Sequence, residues 1–188
     1  MLSRAKKLLA AVLSAACIMT GAAEAFAAES PTQVPGKTVS TTVTVNASSG
    51  DQEYKTSAKH GTAKFYKLVK AKKTKVVVSA SVSTNGVSYP VVAVSGNAFN
   101  KTSVKKVVLG TNVYKVYKNA FKGAKKLKYI YIRPTKRVKV SKGAFKGLNT
   151  KKMTIKINKK NKNYKKIVKA LRKAGFKGKI KKYTYKKK

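Results

Sequence analysis

Three copies of one short phrase constrain this chain most: Ser95-Gly96-Asn97-Ala98-Phe99, Tyr117-Lys118-Asn119-Ala120-Phe121 and Ser141-Lys142-Gly143-Ala144-Phe145. The Ala-Phe pairs lie 22 and then 24 residues apart. Aligned on Phe, more columns match: Val94, Val116 and Val140 five residues earlier, and Val92, Tyr114 and Val138 seven earlier. About ten residues after each Phe comes a second apolar run. It reads Val104-x-x-Val107-x-Leu109, then Leu127-x-x-Ile130-x-Ile132, then a worn copy, Ile155-x-Ile157. A unit this short cannot bury its apolar face alone, so copies must stack and share one continuous core. Chance similarity between Val- and Lys-rich strands does not put three Phe-anchored columns in register.

These columns resemble the BspA-like leucine-rich repeats of bacterial cell-surface and secreted proteins, whose units read V-x-x-I-G-x-x-A-F-x-x-C-x-x-L-x-x-I-x-I. The stretch from Val113 through Ala120-Phe121, Leu127 and Ile130 to Ile132 is similar almost column for column. It departs at Val116-Tyr117 and Val140-Ser141, where that family often has Ile-Gly, and at Ala124, where it often has Cys. The similarity covers about residues 75–157. It implies a β-rich α/β solenoid: a short leucine-rich-repeat array with an N-terminal β-hairpin and a C-terminal helical cap. It also implies adhesion and host or matrix binding, and says nothing of the ligand.

Residues 1–27 read as an export signal. Arg4, Lys6 and Lys7 form a basic start, Leu8 to Ala23 is apolar and small, and Ala25-Phe26-Ala27 is a cleavage site of A-x-A type. A membrane anchor competes, but Thr20 and Gly21 interrupt the run and Glu24 closes it. A lipoprotein also competes, because Leu13-Ser14-Ala15-Ala16-Cys17 resembles a lipobox with its Leu one place too far from Cys17. Cleavage after Ala27 removes the one cysteine, so disulfides and thiolate metal sites drop out of the mature chain. About 160 residues remain, enough for one domain with a modest core.

Charge is the strongest compositional signal. The four acidic residues are Glu24, Glu29, Asp51 and Glu53, and 41 of the 45 Lys and Arg lie from Tyr54 onward. Losing Arg4, Lys6, Lys7 and Glu24 with the signal takes the formal charge from +41 to +39. Such a charge opposes compactness and gathers anions at the surface. Only Arg133, Arg137 and Arg172 follow the signal, so Lys, a hydrated point charge, dominates. That suits delocalised attraction to a polyanion.

In order, residues 28–61 are rich in Thr, Ser, Val and Gly and read as a linker or loosely attached strand. Residues 62–188 form the repeat domain: a cap and hairpin over 62–90, repeats over 91–157 and a C-terminal cap over 158–188. Asn85-Gly86 between β-branched runs over 76–82 and 87–94 predicts a hairpin. The Ala-Phe pair predicts a short helical turn with Phe as a plug between coils. Tyr164, Ile167, Val168 and Leu171 make one stripe of a helix over 161–174, with Asn161 or Asn163 as N-cap and Gly175 just past its end. Residues 176–185 predict a last strand, followed by a solvated Lys186-Lys187-Lys188 tail.

General acid–base work usually needs His, Glu or Asp near the reacting group, and the repeats contain none of these and no Cys. His60 stands alone in a polar stretch, and neither metal-ligand clusters nor a Gly-rich phosphate loop occur. The chain is expected to be no enzyme, with no catalytic residue, metal or cofactor. A binding face remains: Lys106, Val108, Lys128, Tyr129, Tyr131, Thr154 and Lys156 fall opposite the core positions of successive strands. Tyr among Lys stacks on a sugar or base while ammonium groups meet phosphate or carboxylate, although outward Tyr also suits a strand for its β-propensity alone. The expected function is a secreted or cell-surface module that binds anionic polymers, such as teichoic-acid-like envelope polymers or host glycans, or surface proteins. A secreted nucleic-acid-binding protein and a membrane-active cationic protein acting through the 161–174 helix are the alternatives.

Overall fold

The computed structural model describes residues 41–185. The export signal expected over 1–27 (with Cys17), residues 28–40 and the Lys186–Lys188 tail lie outside the described residues.

Strands β1 (Thr42–Ala47) and β2 (Gly50–Ser57) form a tight antiparallel hairpin with Ala47 opposite Gly50. Strand β3 (Thr62–Ala71) runs antiparallel to β2. The linker or loosely attached strand expected over 28–61 is, in its described part, strands β1 and β2 paired into the sheet, with the short turn Ala58–His60 after them. The reason lies in β2, where Gln52, Tyr54 and Thr56 alternate into the core. Polar Gln52 is tolerated there because its amide donates to Ser49 Oγ and to the Val77 carbonyl, both at 3.1 Å, and its oxygen accepts from the Tyr54 hydroxyl. Buried polar groups persist where they are hydrogen-bonded.

Strand β4 (Lys75–Val77) is followed by β5 (Ser81–Thr84) and β6 (Val87–Val94), which pair as the predicted hairpin. Asn85 and Gly86 take φ of 50° and 73°, as a turn matched to strand twist requires. The first arm is shorter than expected, because Val76 and Val77 belong to β4 and pair elsewhere. The repeats then supply β7 (Lys106–Leu109), β8 (Lys115–Val116), β9 (Tyr129–Ile132), β10 (Lys139–Val140) and β11 (Thr154–Asn158). Helix α1 (Tyr164–Lys173) and β12 (Lys179–Tyr183) complete the order.

Two open sheets result. One has the order β1-β2-β3-β6-β8-β10, with β5 added to β6. The other is parallel throughout, in the order β12-β11-β9-β7-β4. Val107, Leu109, Ile130, Ile132, Ile155 and Ile157 point from the second sheet into the core and are almost fully buried. Against them stands a column of rings. Phe65, Phe99, Phe121, Phe145 and Phe176 follow one another at centroid distances of 5.1, 5.4, 5.5 and 5.3 Å, and Tyr54 closes one end at 5.4 Å. The spacing is close to the about 4.8 Å between neighbouring strands, so each rung contributes one ring. The ring column therefore runs past the repeats expected over 91–157 at both ends, to Phe65 and to Phe176. Neither ring follows Ala, so the Ala-Phe phrase misses both.

The expected helical turn at Ala-Phe is instead a run of tight turns. Asn97, Asn119 and Gly143 occupy one column and take left-handed φ of 59°, 61° and 76°. From there Lys122 N–H donates to the Asn119 carbonyl at 2.9 Å and Ala124 N–H to the Phe121 carbonyl at 3.1 Å. The same turns tie copies together: Asn119 N–H donates to the Gly143 carbonyl and Phe121 N–H to that of Ala144, both at 3.1 Å.

Helix α1 buries Ile167 and Leu171, with Tyr164 and Val168 half-covered beside them. Asn163 precedes its first residue without capping it through the side chain. Asn161 serves here instead: its oxygen accepts from Asn163 N–H at 2.7 Å, and its amide donates to the carbonyls of Pro134 and Lys136 at 2.7 and 2.8 Å. Gly175 follows in the left-handed region, φ 91°, as its position predicts. Among the described residues, no helix is long and apolar enough to cross a membrane.

Candidate ligand-binding face

The parallel sheet puts its outward residues in straight rows, because neighbouring strands pair without shift. One row reads Lys75, Lys106, Tyr129, Thr154, Lys179, and the next Val77, Val108, Tyr131, Lys156, Lys181. Six of the seven expected face residues thus stand together: Lys106, Val108, Tyr129, Tyr131, Thr154 and Lys156. Lys128 does not join them. It precedes β9 and is exposed, and its carbonyl accepts from Thr154 N–H at 2.8 Å. A residue adjacent to outward Tyr129 cannot share its face, since side chains alternate along a strand.

Lysines and rings interleave across these rows. Lys106 Nζ lies 5.8 Å from the Tyr129 ring centre, and Lys156 Nζ lies 5.9 Å from Tyr129 and 5.3 Å from Tyr131. Cations within about 6 Å of a ring face are attracted to it. No carboxylate competes nearby. Among the described residues the acidic side chains are Asp51 and Glu53 on β2, and they pair with Lys72 at 2.7 Å and Lys67 at 3.3 Å. His60 is exposed, in the short turn between β2 and β3. Among the described residues no group of three His, Cys, Asp or Glu is placed to hold a metal ion.

The face ends in a cleft of about 330 Å³. Val77 and Val108 floor it, and Tyr131, Arg133, Tyr183 and Tyr185 wall it, with Lys75 and Lys106 beside them. Val108, expected as an outward residue, is 7% exposed. Tyr131 and Tyr183 meet edge to face at 5.4 Å, and the Arg133 guanidinium lies 4.0 Å from the Tyr185 ring centre. Burial pushes the Tyr183 phenol up to about 12, against the opposing pull of Arg133. Sequence reading missed Arg133, Tyr183 and Tyr185. A signal existed: aligning Ile180 with Ile155 continues the repeat register and sends Tyr183 outward, one row beyond Tyr131.

Comparison with known proteins fits this architecture. A BspA type leucine rich repeat region, in six copies, matches residues 92–183. Residues 92–183 are a BspA-type leucine-rich repeat region. The match runs through β12, past Phe176 at the end of the ring column. In fold, the chain is similar to a leucine rich cell surface protein from Faecalibacterium prausnitzii A2-165, with a TM-score of 0.50 and 19% identity over 62% of this chain and 32% of that one. The chain thus spans about a third of that protein's length. A leucine-rich repeat protein from Bacteroides capillosus aligns with a TM-score of 0.45 and 19% identity, over 61% of this chain and 97% of that one. No curated protein matches.

Proposed function

We propose that this chain is an exported, cell-surface-associated leucine-rich-repeat binding module without catalytic activity, which gathers anionic polymers of the envelope or a host surface on its Lys-rich face. In this reading the coils make a short solenoid and α1 caps its end, covering apolar surface with Ile167 and Leu171. The observation that carries the reading is the arrangement of the rows. Lys75, Lys106, Lys156, Lys179 and Lys181 stand on adjoining strands around Tyr129 and Tyr131, while Asp51 and Glu53 are engaged on β2. The cell-surface description of the Faecalibacterium protein is consistent with export.

A panel of glycerol-phosphate polymer, heparin, DNA and a neutral glycan, screened at low and high salt, tests this. All three polyanions are expected to bind at low salt and to weaken with similar, steep salt slopes, because the slope follows the number of charges neutralised. Lys128→Gln or Lys156→Gln alone should shift binding only slightly. Retention of the neutral glycan alone, or of no polyanion at low salt, would sink the reading.

A further inference from the structure

We propose that the cleft between Tyr131 and Tyr185 is a subsite for one carboxylate-bearing sugar residue of an acidic glycan, with Arg133 as the carboxylate fork. This deepens the polyanion reading and rests on it. Among the described residues, Arg133 Nε and Tyr183 Oη are buried yet lack a hydrogen-bond partner, and both residues line this cleft. Buried polar atoms are almost always partnered, so two orphans in one cleft point to groups that a ligand supplies. The Arg133 guanidinium carbon sits 4.0 Å from the Tyr185 ring centre, and a guanidinium held in such a place takes a planar carboxylate in two parallel bonds. With its phenol kept protonated by burial, Tyr183 both donates to and accepts from a sugar hydroxyl.

The apolar parts choose the rest of the ligand. The Val77 and Val108 floor and the Tyr131 ring suit the C–H face of a sugar. Ligand pockets run from about 300 to 1,000 Å³, so a cleft of about 330 Å³ takes one ring with its acid attached directly. Glycerol-phosphate polymer has the charge without the ring. Lys75 and Lys106 add positive potential at the side where a chain of such residues would continue along the strand rows.

The test is calorimetric titration of the full chain in ~0.5 M NaCl, where the Debye length falls below about 5 Å and diffuse attraction is screened. The probes are a glucuronic-acid oligosaccharide, a sialylated trisaccharide, the same two with carboxyls reduced to alcohols, and glycerol-phosphate polymer. At least one carboxylate sugar should bind, and its reduced form should bind at least about tenfold more weakly. Arg133→Lys keeps the charge and loses the fork, so it should cost about tenfold or more, while Tyr183→Phe costs less and Lys128→Gln nothing. Melting curves establish that each variant is folded. Carboxylate sugars that fail to bind, reduced forms that bind equally, an unaffected Arg133→Lys protein, or binding of the phosphate polymer alone each overturn the subsite. Heparin retention at low salt separates the two readings: if it persists while the titrations fail, only the subsite falls, and if both fail, the polyanion reading falls too.

Discussion

Residue 119 sits at φ 61°, a backbone setting that most side chains avoid because Cβ crowds the next carbonyl. Asn and Gly tolerate it best, and the equivalent positions hold Asn97, Asn119 and Gly143. The Asn119 side chain adds little here, since its Oδ1 is buried and has no partner among the described residues. Asn119→Ala is therefore expected to destabilise by about 1 kcal/mol, from left-handed strain. Asn119→Gly should hold the melting temperature or raise it; a loss as large as that of Ala would mean that the amide makes a bond of consequence. Tyr183 carries a pH dependence. Its folded value, about 12, stands above the ordinary value of about 10, so the stability from keeping it neutral is complete below pH ~10 and is lost as pH rises toward ~12. Near-ultraviolet titration should show two phenols still protonated after the exposed tyrosines ionise, Tyr183 and the buried Tyr54, whose phenol burial also pushes up. Tyr183→Phe should remove one of these late steps and leave the other.

The ring column is an element that belongs to no single strand. Phe121 lies at its middle, stacked at 5.4 Å on Phe99 and 5.5 Å on Phe145, and is 1% exposed. Phe121→Ala should cost about 3–5 kcal/mol in denaturant unfolding; an unchanged midpoint would contradict the column. The three middle rings were legible because each ends the same Ala-Phe phrase. Phe65 and Phe176 were not, because Phe65 arrives on antiparallel β3 and Phe176 after helix α1, where local sequence answers to different backbones. Likewise β1 and β2 were legible only as a linker or loosely attached strand, since small Thr and Val over 38–45 offer little bulk to bury and Gln52 and Thr56 at inward positions weaken the alternation that Tyr54 completes. On the candidate face, strand parity placed six of the seven expected residues side by side, and the cleft stayed hidden because Tyr183 and Tyr185 meet Tyr131 and Arg133 only through the sheet's stacking order. That stacking has a cost where like charges align. Lys181 pairs directly with Lys156 across β11 and β12. Opposite charges at such positions are worth about 0.2–1 kcal/mol, so Lys181→Glu is expected to raise stability by that order in low salt. The gain should vanish in ~1 M NaCl, where the Debye length is about 3 Å.

For the whole molecule, packing and charge oppose one another. A formal charge of +41 on 188 residues is held by a column of rings and two rows of buried Val, Leu and Ile, without a disulfide among the described residues to share the load. Charge repulsion is screened by salt, whereas ring stacking and apolar burial are not, so the melting temperature should rise as NaCl goes from ~0.01 to ~0.5 M and the Debye length shrinks from about 30 to below 5 Å. Each 1 kcal/mol of relieved repulsion is worth about 2–4 °C for a domain of this size. Chloride is the right test, because sulfate also strengthens apolar burial and would mix two effects. A polyanion at low salt should act in the same direction by a different route, binding the folded state and neutralising the lysine rows. Its benefit should shrink as NaCl is added, since the counterions whose release drives binding are then abundant. Two melting series, with and without glycerol-phosphate polymer, should therefore start apart and converge as salt rises. Flat curves that coincide throughout would mean that the lysines are too widely spread to repel one another or to grip a polymer, and the charge would lose its part in the proposed function.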